Sequence, residues 1–419
     1  MRPQDPGGGT AVRRGVRTRV AGVAALAAAL LFVPFAAPGL DAQSPPLEGP
    51  PSGLPSPADG VRSIVAPEGA GPEQGYAGDH LMYIGTYRNA IYVLDEATEE
   101  VVDTIELESG IPRSIFPNAR RDRFYVIDVS YENVEVVDIA THQVVDRFTL
   151  SQGNETVRIW NMAVSPGDDT ALLLVRRYRR LLDRFEVGPM EFLQYDLNRG
   201  EVVRELPWPD GRERQNMDLR FSADGRWIYF MGDPIRVLDA RDLSEVDRWA
   251  YADEIGSGLE NFSFGFPENI WDEPGTYRGL VRVTDAVQGA DFLGVARASL
   301  DDRTLELTAL GPWVPRLRFA VGPDRRKAYG VKDEVGDYQF WTFDLEAGRV
   351  EASAPFRGRS RMLHEVSSSG RVLYIYNAGN TIDLYDAGDY RYLRTIIMDA
   401  DTTTRLFIFP RSGAGRSEE

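Results

Sequence analysis

Six arginines stand at matching points of a repeating pattern: Arg113, Arg158, Arg214, Arg316, Arg361 and Arg405, each close to the start of a short apolar run. A seventh such run carries Glu260 and Asn261 instead. Guanidinium groups brought together by a fold need counter-anions, and a carboxylate or phosphate ligand matches their planar donor fork. The competing arrangement is internal, with Glu213, Asp218, Glu260 and Glu365 neutralising the arginines as a structural ring. His364 lies beside Glu365 in one of these runs, and an imidazole there serves either as a general base or as a packed side chain. Adjacent strand residues point to opposite faces, so Glu365 is poorly placed to orient it. A different chemistry would use Asn216, Asp218, Glu260, Asn261 and Glu365 as oxygen ligands of a divalent metal.

The elements that must position these residues repeat seven times. In the stretch from Phe221 to Tyr251, short runs such as WIYFM and IRVLD alternate with turns rich in Gly, Asp and Pro, which reads as antiparallel strands. The residue closing the third strand marks each unit: Asp95, Asp138, Asp196, Asp239, Ser299, Asp344 and Asp386, at intervals of 42 to 60 residues. An Asp there folds its carboxylate back onto the backbone N–H groups of the next turn. Seven four-stranded units predict an all-β fold, a seven-bladed β-propeller of antiparallel blades over residues 79–410. The first unit has no innermost strand of its own, whereas Thr403 to Pro410 matches the innermost strands of other units. That C-terminal strand is expected to close the ring and remove its open edges. In a propeller, the connections into the innermost strands and those between second and third strands open on one face, around the channel mouth, where the arginines would gather.

Units such as GIPRSIFPNARRDRFYVIDVSYENVEVVDIATHQVVDRF resemble the YVTN-type seven-bladed propellers, which are similar in turn to the β subunit of quinohaemoprotein amine dehydrogenase. The tetrapeptide itself is absent; FYVID and LYIYN stand at its positions. The resemblance implies the propeller fold and, as one concrete role, a subunit of a redox enzyme whose cofactor lies on another chain. No cofactor is expected in this one.

Composition narrows the chemistry further. The 419-residue chain carries a net charge of −17 and only two lysines, Lys327 and Lys332, so bulk nucleic-acid binding and Schiff-base catalysis are disfavoured. It has no cysteine, which excludes disulfides, thiolate metal sites and covalent c-type haem. Three scattered histidines cannot build a His-rich copper or zinc centre. No HExxH, GxSxG, Walker or dinucleotide fingerprint is present.

Arg13, Arg14, Arg17 and Arg19 precede an apolar stretch from Val20 to Ala37, as in a secretory signal peptide over residues 1–42. The reading is export to the periplasm or medium, with a retained N-terminal anchor as the alternative. Residues 43–78, crowded with Pro and Gly, are expected to be a disordered linker, and 411–419 a disordered tail. An insertion in the third unit places Tyr178, Leu181, Leu182 and Phe185 at i, i+3, i+4 and i+7, which predicts a short helix over the ligand face. Arg176, Arg177, Arg179, Arg180 and Phe185 are its candidate residues for a partner subunit or an anionic surface, with a lid packed on its own blade as the alternative. A second rim loop is expected from Pro267 to Asp291. The function expected is a non-catalytic, monomeric binding propeller for a small anion or a partner subunit; a metal-assisted lactonase- or lyase-like enzyme is the alternative.

Overall fold

Middle strands of each unit are apolar on both faces, and that dictates how the chain packs. Leu81–Thr86 and Val372–Tyr376 are buried at every position, whereas the outermost Glu100–Glu106 and Gln143–Thr149 are largely exposed or half-buried. A sheet whose middle strands are covered on both sides needs another sheet against each face, and a ring of blades supplies it. The computed structural model describes residues 62–64, 75–209, 211–214, 218–231, 234–249, 259–264, 270–271, 275–285, 287–377 and 379–411, with backbone only for 62–64 and 259–264.

Seven antiparallel sheets form the blades of a propeller. Blade two is representative, with Pro112–Pro117 innermost, then Arg123–Asp128, Asn133–Asp138 and Gln143–Thr149. Every third strand ends on the residue anticipated from the sequence, and the carboxylates make the expected turns. Asp95 Oδ1 accepts from Ala97 N at 2.8 Å, Asp196 from Asn198 N and Arg199 N at 2.9 Å, and Asp386 from Gly388 N at 2.8 Å. The C-terminal strand Phe407–Phe409 is the innermost strand of blade one, pairing Leu81 with Phe409 and Tyr83 with Phe407. Just above it, Gly85 N donates to Thr404 Oγ1 at 2.8 Å. A Cβ at Gly85 would stand 2.6 Å from the Thr404 side chain, so glycine is required for this close approach.

Three segments differ from expectation. The insertion of blade three is a long β-hairpin rather than a helix: Thr170–Arg180 and Phe185–Asp196 pair Arg176 with Met190, Tyr178 with Val187 and Arg180 with Phe185. Both arms simply prolong the second and third strands of the blade, and the innermost strand, Glu155–Val164, lengthens with them. A propagating ladder with Gly188 and Pro189 in one arm outweighs a weak helical stripe. Within the segment expected to be a disordered linker, Arg62–Ile64 pairs with Thr395–Ile397 as a fifth, outer strand of blade seven. Tyr76 Oη also donates to Asp386 Oδ2 at 2.6 Å, and Ala77 is buried. The presumed signal segment, the remainder of the linker and residues 412–419 lie outside the described residues. The third difference is in blade five, where Pro267 to Asp291 is no single rim loop: it contains the strand Thr276–Asp285 and the start of its partner Ala290–Ser299. Before that pair, Ile270 is buried in the same apolar cluster as Phe407 and Phe409. Among the described residues no helix is long and apolar enough to cross a membrane.

Candidate ligand site in the central channel

The innermost strands of blades one to four, with Ile270, Thr276 and Leu300 of blade five, enclose a cavity of about 510 Å³ in the central channel. Its described lining carries four guanidinium groups, Arg113, Arg121, Arg220 and Arg405, and one carboxylate, Asp218. Arg220 Nε lies 3.0 Å from Asp218 Oδ1, so that carboxylate is engaged by one of the four. On a chain of net charge −17, a cationic concavity is a local inversion of sign. Poorly solvated walls focus such a field and raise the local concentration of anions.

Each arginine is placed by its strand. Arg113 opens the innermost strand of blade two, is exposed, and donates from Nε to Tyr131 Oη at 3.0 Å. Tyr131 in turn stacks on Trp160 of blade three, ring centroids 4.8 Å apart. Arg405 is half-buried at the start of the closing strand of blade one. Arg121, with φ of 57°, sits in the turn between the first and second strands of blade two, at the opposite end of the channel, its guanidinium carbon 5.8 Å from the Phe409 ring centroid.

Of the six arginines singled out in the sequence, Arg113 and Arg405 line the cavity. The other four are held elsewhere. Arg158 lies over the Tyr178 ring at 5.0 Å and faces Arg176 across the strand pair; the Nε atoms of both, and Trp160 Nε1, are buried without a hydrogen-bond partner. Arg214 covers Phe230 at 4.9 Å. Arg316 approaches buried Asp333 at 3.8 Å, and Arg361 is exposed, with its carbonyl accepting from Asn377 Nδ2 at 3.3 Å. Sequence reasoning did not single out Arg121 and Arg220. Arg220 lies within an innermost strand, which was the available signal, whereas Arg121 lies in a turn on the face away from the channel mouth.

His364 and Glu365 occupy the innermost strand of blade seven and point to opposite sides, as strand alternation requires. His364 Nε2 is 3.0 Å from the Tyr329 carbonyl of blade six, and burial pushes its pKa down to about 4. It is a neutral, packed histidine away from the cavity. Glu365 faces blade one. Burial raises its pKa to about 7 against the opposing pull of Arg405 and of the Val366 N–H, which donates at 3.1 Å. Arg405 is therefore shared between the cavity and a buried carboxyl group behind it.

The oxygen set for a metal does not assemble among the described residues: no three His, Asp or Glu side chains cluster. Asp218 is taken by Arg220, and Glu365 faces Arg405. Asn216 and the side chains of Glu260 and Asn261 lie outside the described residues.

The hairpin arginines are largely engaged. Arg177 bridges Glu155 at 2.8 Å and Glu191 at 2.9 Å, Arg179 meets Glu155 at 3.1 Å, and Arg176 meets Glu213 at 3.2 Å. Arg180 is exposed, and its backbone pairs with Asn154. The apolar residues of the tip, Leu182, Phe185 and Val187, are all exposed.

No family model and no curated protein matches the chain. Solved propeller structures resemble it in fold. A functionally unknown protein from Desulfotomaculum acetoxidans DSM 771 shares 12% identity over 80% of this chain and 99% of its own, with a TM-score of 0.48. The dihydro-heme d1 dehydrogenase NirN, solved in complex with DHE, shares 12% over 86% and 83%, with a TM-score of 0.49. Apo AztD from Citrobacter koseri shares 11% over 79% and 97%, with a TM-score of 0.46. At these identities the likeness assigns no activity.

Proposed function

We propose that this protein is an exported, non-catalytic binding propeller that takes a small anionic ligand in its central channel. The observation that carries the reading is the described lining, four guanidinium groups against one carboxylate on a strongly acidic chain. Arg113 at the mouth and Arg405 on the closing strand are the residues that would meet the anion first. The YVTN-type reading of the repeats remains part of this proposal and agrees with a binding role.

A second reading, docking of a partner subunit, draws on the blade three hairpin, whose tip presents Leu182, Phe185 and Val187 to solvent. Exposed apolar side chains on a projecting element are a common mark of interaction surfaces. Among the described residues, no cluster of His, Asp or Glu supports the metal-assisted alternative. Native mass spectrometry of the protein purified gently from its own source tests these readings. A bound anion that disappears in an Arg113→Ala/Arg405→Ala variant is expected. A ligand-free protein carrying a second polypeptide would move the function to the hairpin.

A further inference from the structure

Apolar surface alternates with the arginines along the channel. Phe116, Leu219 and Phe221 line the cavity and are only half-buried. Ile115, Phe407 and Phe409 continue the same wall, and buried Ile270 packs into the cluster that holds Phe407 and Phe409. A site built only for a small inorganic or short-chain anion has no use for aromatic rings open to its interior. Ligand cavities of this size instead pair a few convergent polar groups with an apolar lining that covers the ligand's body.

We propose that the channel ligand is amphiphilic, an anionic head group attached to an apolar alkyl or aryl body. The head group meets Arg113 and Arg405, and the body lies against Phe116, Leu219 and Phe221. This rests on the anion-binding reading above and adds the second half of the ligand to it. Arg121 lies over Phe409 at the far end, and between the two cationic ends apolar side chains share the wall with the Arg220–Asp218 pair. Carboxylate and phosphate heads share the same guanidinium chemistry, so the body, not the head, is what the proposal specifies.

Calorimetric titration of the purified protein with acetate, butyrate, hexanoate and octanoate, each below its micellar concentration, measures the two halves separately. Affinity should rise about fourfold for each added methylene that is buried, from roughly 0.8 kcal/mol per methylene, until the wall is covered. Octyl phosphate against inorganic phosphate should show the same gain. Phe221→Ser should flatten the chain-length dependence, and Ser114→Trp, which fills the channel without removing any wall residue, should abolish binding of the longer members. Arg113→Ala/Arg405→Ala should weaken every member of the series alike. If acetate or phosphate binds and octanoate binds no more tightly, the apolar half is overturned while the anion site stands. If no member of either series binds to a folded protein, the anion-binding reading falls and this inference with it.

Discussion

The seam between blades one and seven and the arginine-lined channel both contain charged groups, but they treat them in opposite ways. At the seam, buried Glu96 accepts from the backbone of His80 at 3.2 Å, from Ser368 N at 2.9 Å and Ser368 Oγ, and from Tyr374 Oη at 3.0 Å. Glu99 meets Arg394 through two hydrogen bonds. Every strong acceptor there is answered from within the chain, which is what a permanent joint requires. In the channel, exposed Arg113 donates to a neutral phenol. The contrast teaches how to separate structural charge from recognition: the first is satisfied by the fold, the second is left for something that arrives.

Removing the closing strand should give the largest effect. A chain lacking residues 401–419 leaves Leu81–Thr86 with an open edge and exposes the apolar cluster of Phe407 and Phe409. Loss of cooperative unfolding by circular dichroism is expected, and an unchanged melting temperature would show that the seam holds without it. Next in size, Glu96→Ala strands four donors and should cost roughly 3 kcal/mol in chemical denaturation. Arg113→Ala, at an exposed position, should stay within about 0.5 kcal/mol of the parent. Equal losses in the two variants would dissolve the distinction between joint and mouth.

The wall of blade seven sharpens the comparison through pH. Glu365 binds its proton more tightly in the folded state, so between about 4.5 and about 7 the native protein holds a proton that the unfolded chain has lost, and stability falls as pH rises. His364 acts with the opposite sign. Between about 4 and about 6.5 the unfolded chain binds a proton that the native state refuses, and stability rises with pH. In the overlap, the two neighbours offset each other. Glu365→Gln should therefore unmask a stability that climbs from pH 4 to 6.5, and His364→Asn one that declines from pH 4.5 to 7, each by an amount on the order of 3 kcal/mol. Urea midpoints measured across that range check this. Parallel profiles for both variants would show that neither group titrates as its burial implies. Anion affinity should also fall as Glu365 ionises behind Arg405, because the carboxylate then competes for the guanidinium. The smallest effect is expected at the hairpin tip, where Leu182→Ser should leave stability within about 0.5 kcal/mol.

The sequence displayed the fold more fully than the site for a physical reason. Strand-closing Asp95, Asp138 and Asp386 act through bonds to backbone two or three residues away, so their role is complete within a few residues of text. The closing strand was legible because an array with one strand missing at its start and one left over at its end has one economical solution. Which way an arginine points depends instead on strand phase and on the neighbouring blade. Arg158 and Arg214 occupy the same sequence position as Arg113, yet Tyr178 and Phe230 draw their guanidinium groups away from the cavity. The hairpin of blade three was misread because Tyr178 and Phe185 fit a helical period while belonging to two different strands.

Gly85 and Thr404 are hydrogen-bonded across 319 residues. Each of the other blades builds its four propeller strands from consecutive chain, with Arg62–Ile64 added outside those of blade seven, so its four-stranded sheet can form while the chain is still being made. Blade one must wait for its innermost strand until all the intervening blades have been synthesised, and the entropy of closing so long a loop makes that step late and slow. For as long as it waits, Leu81–Thr86 leaves a largely apolar strand edge unpaired, the point at which a nascent chain of this architecture is most open to joining the wrong neighbour. Order of synthesis, rather than strength of packing, sets the most vulnerable moment in the life of this ring.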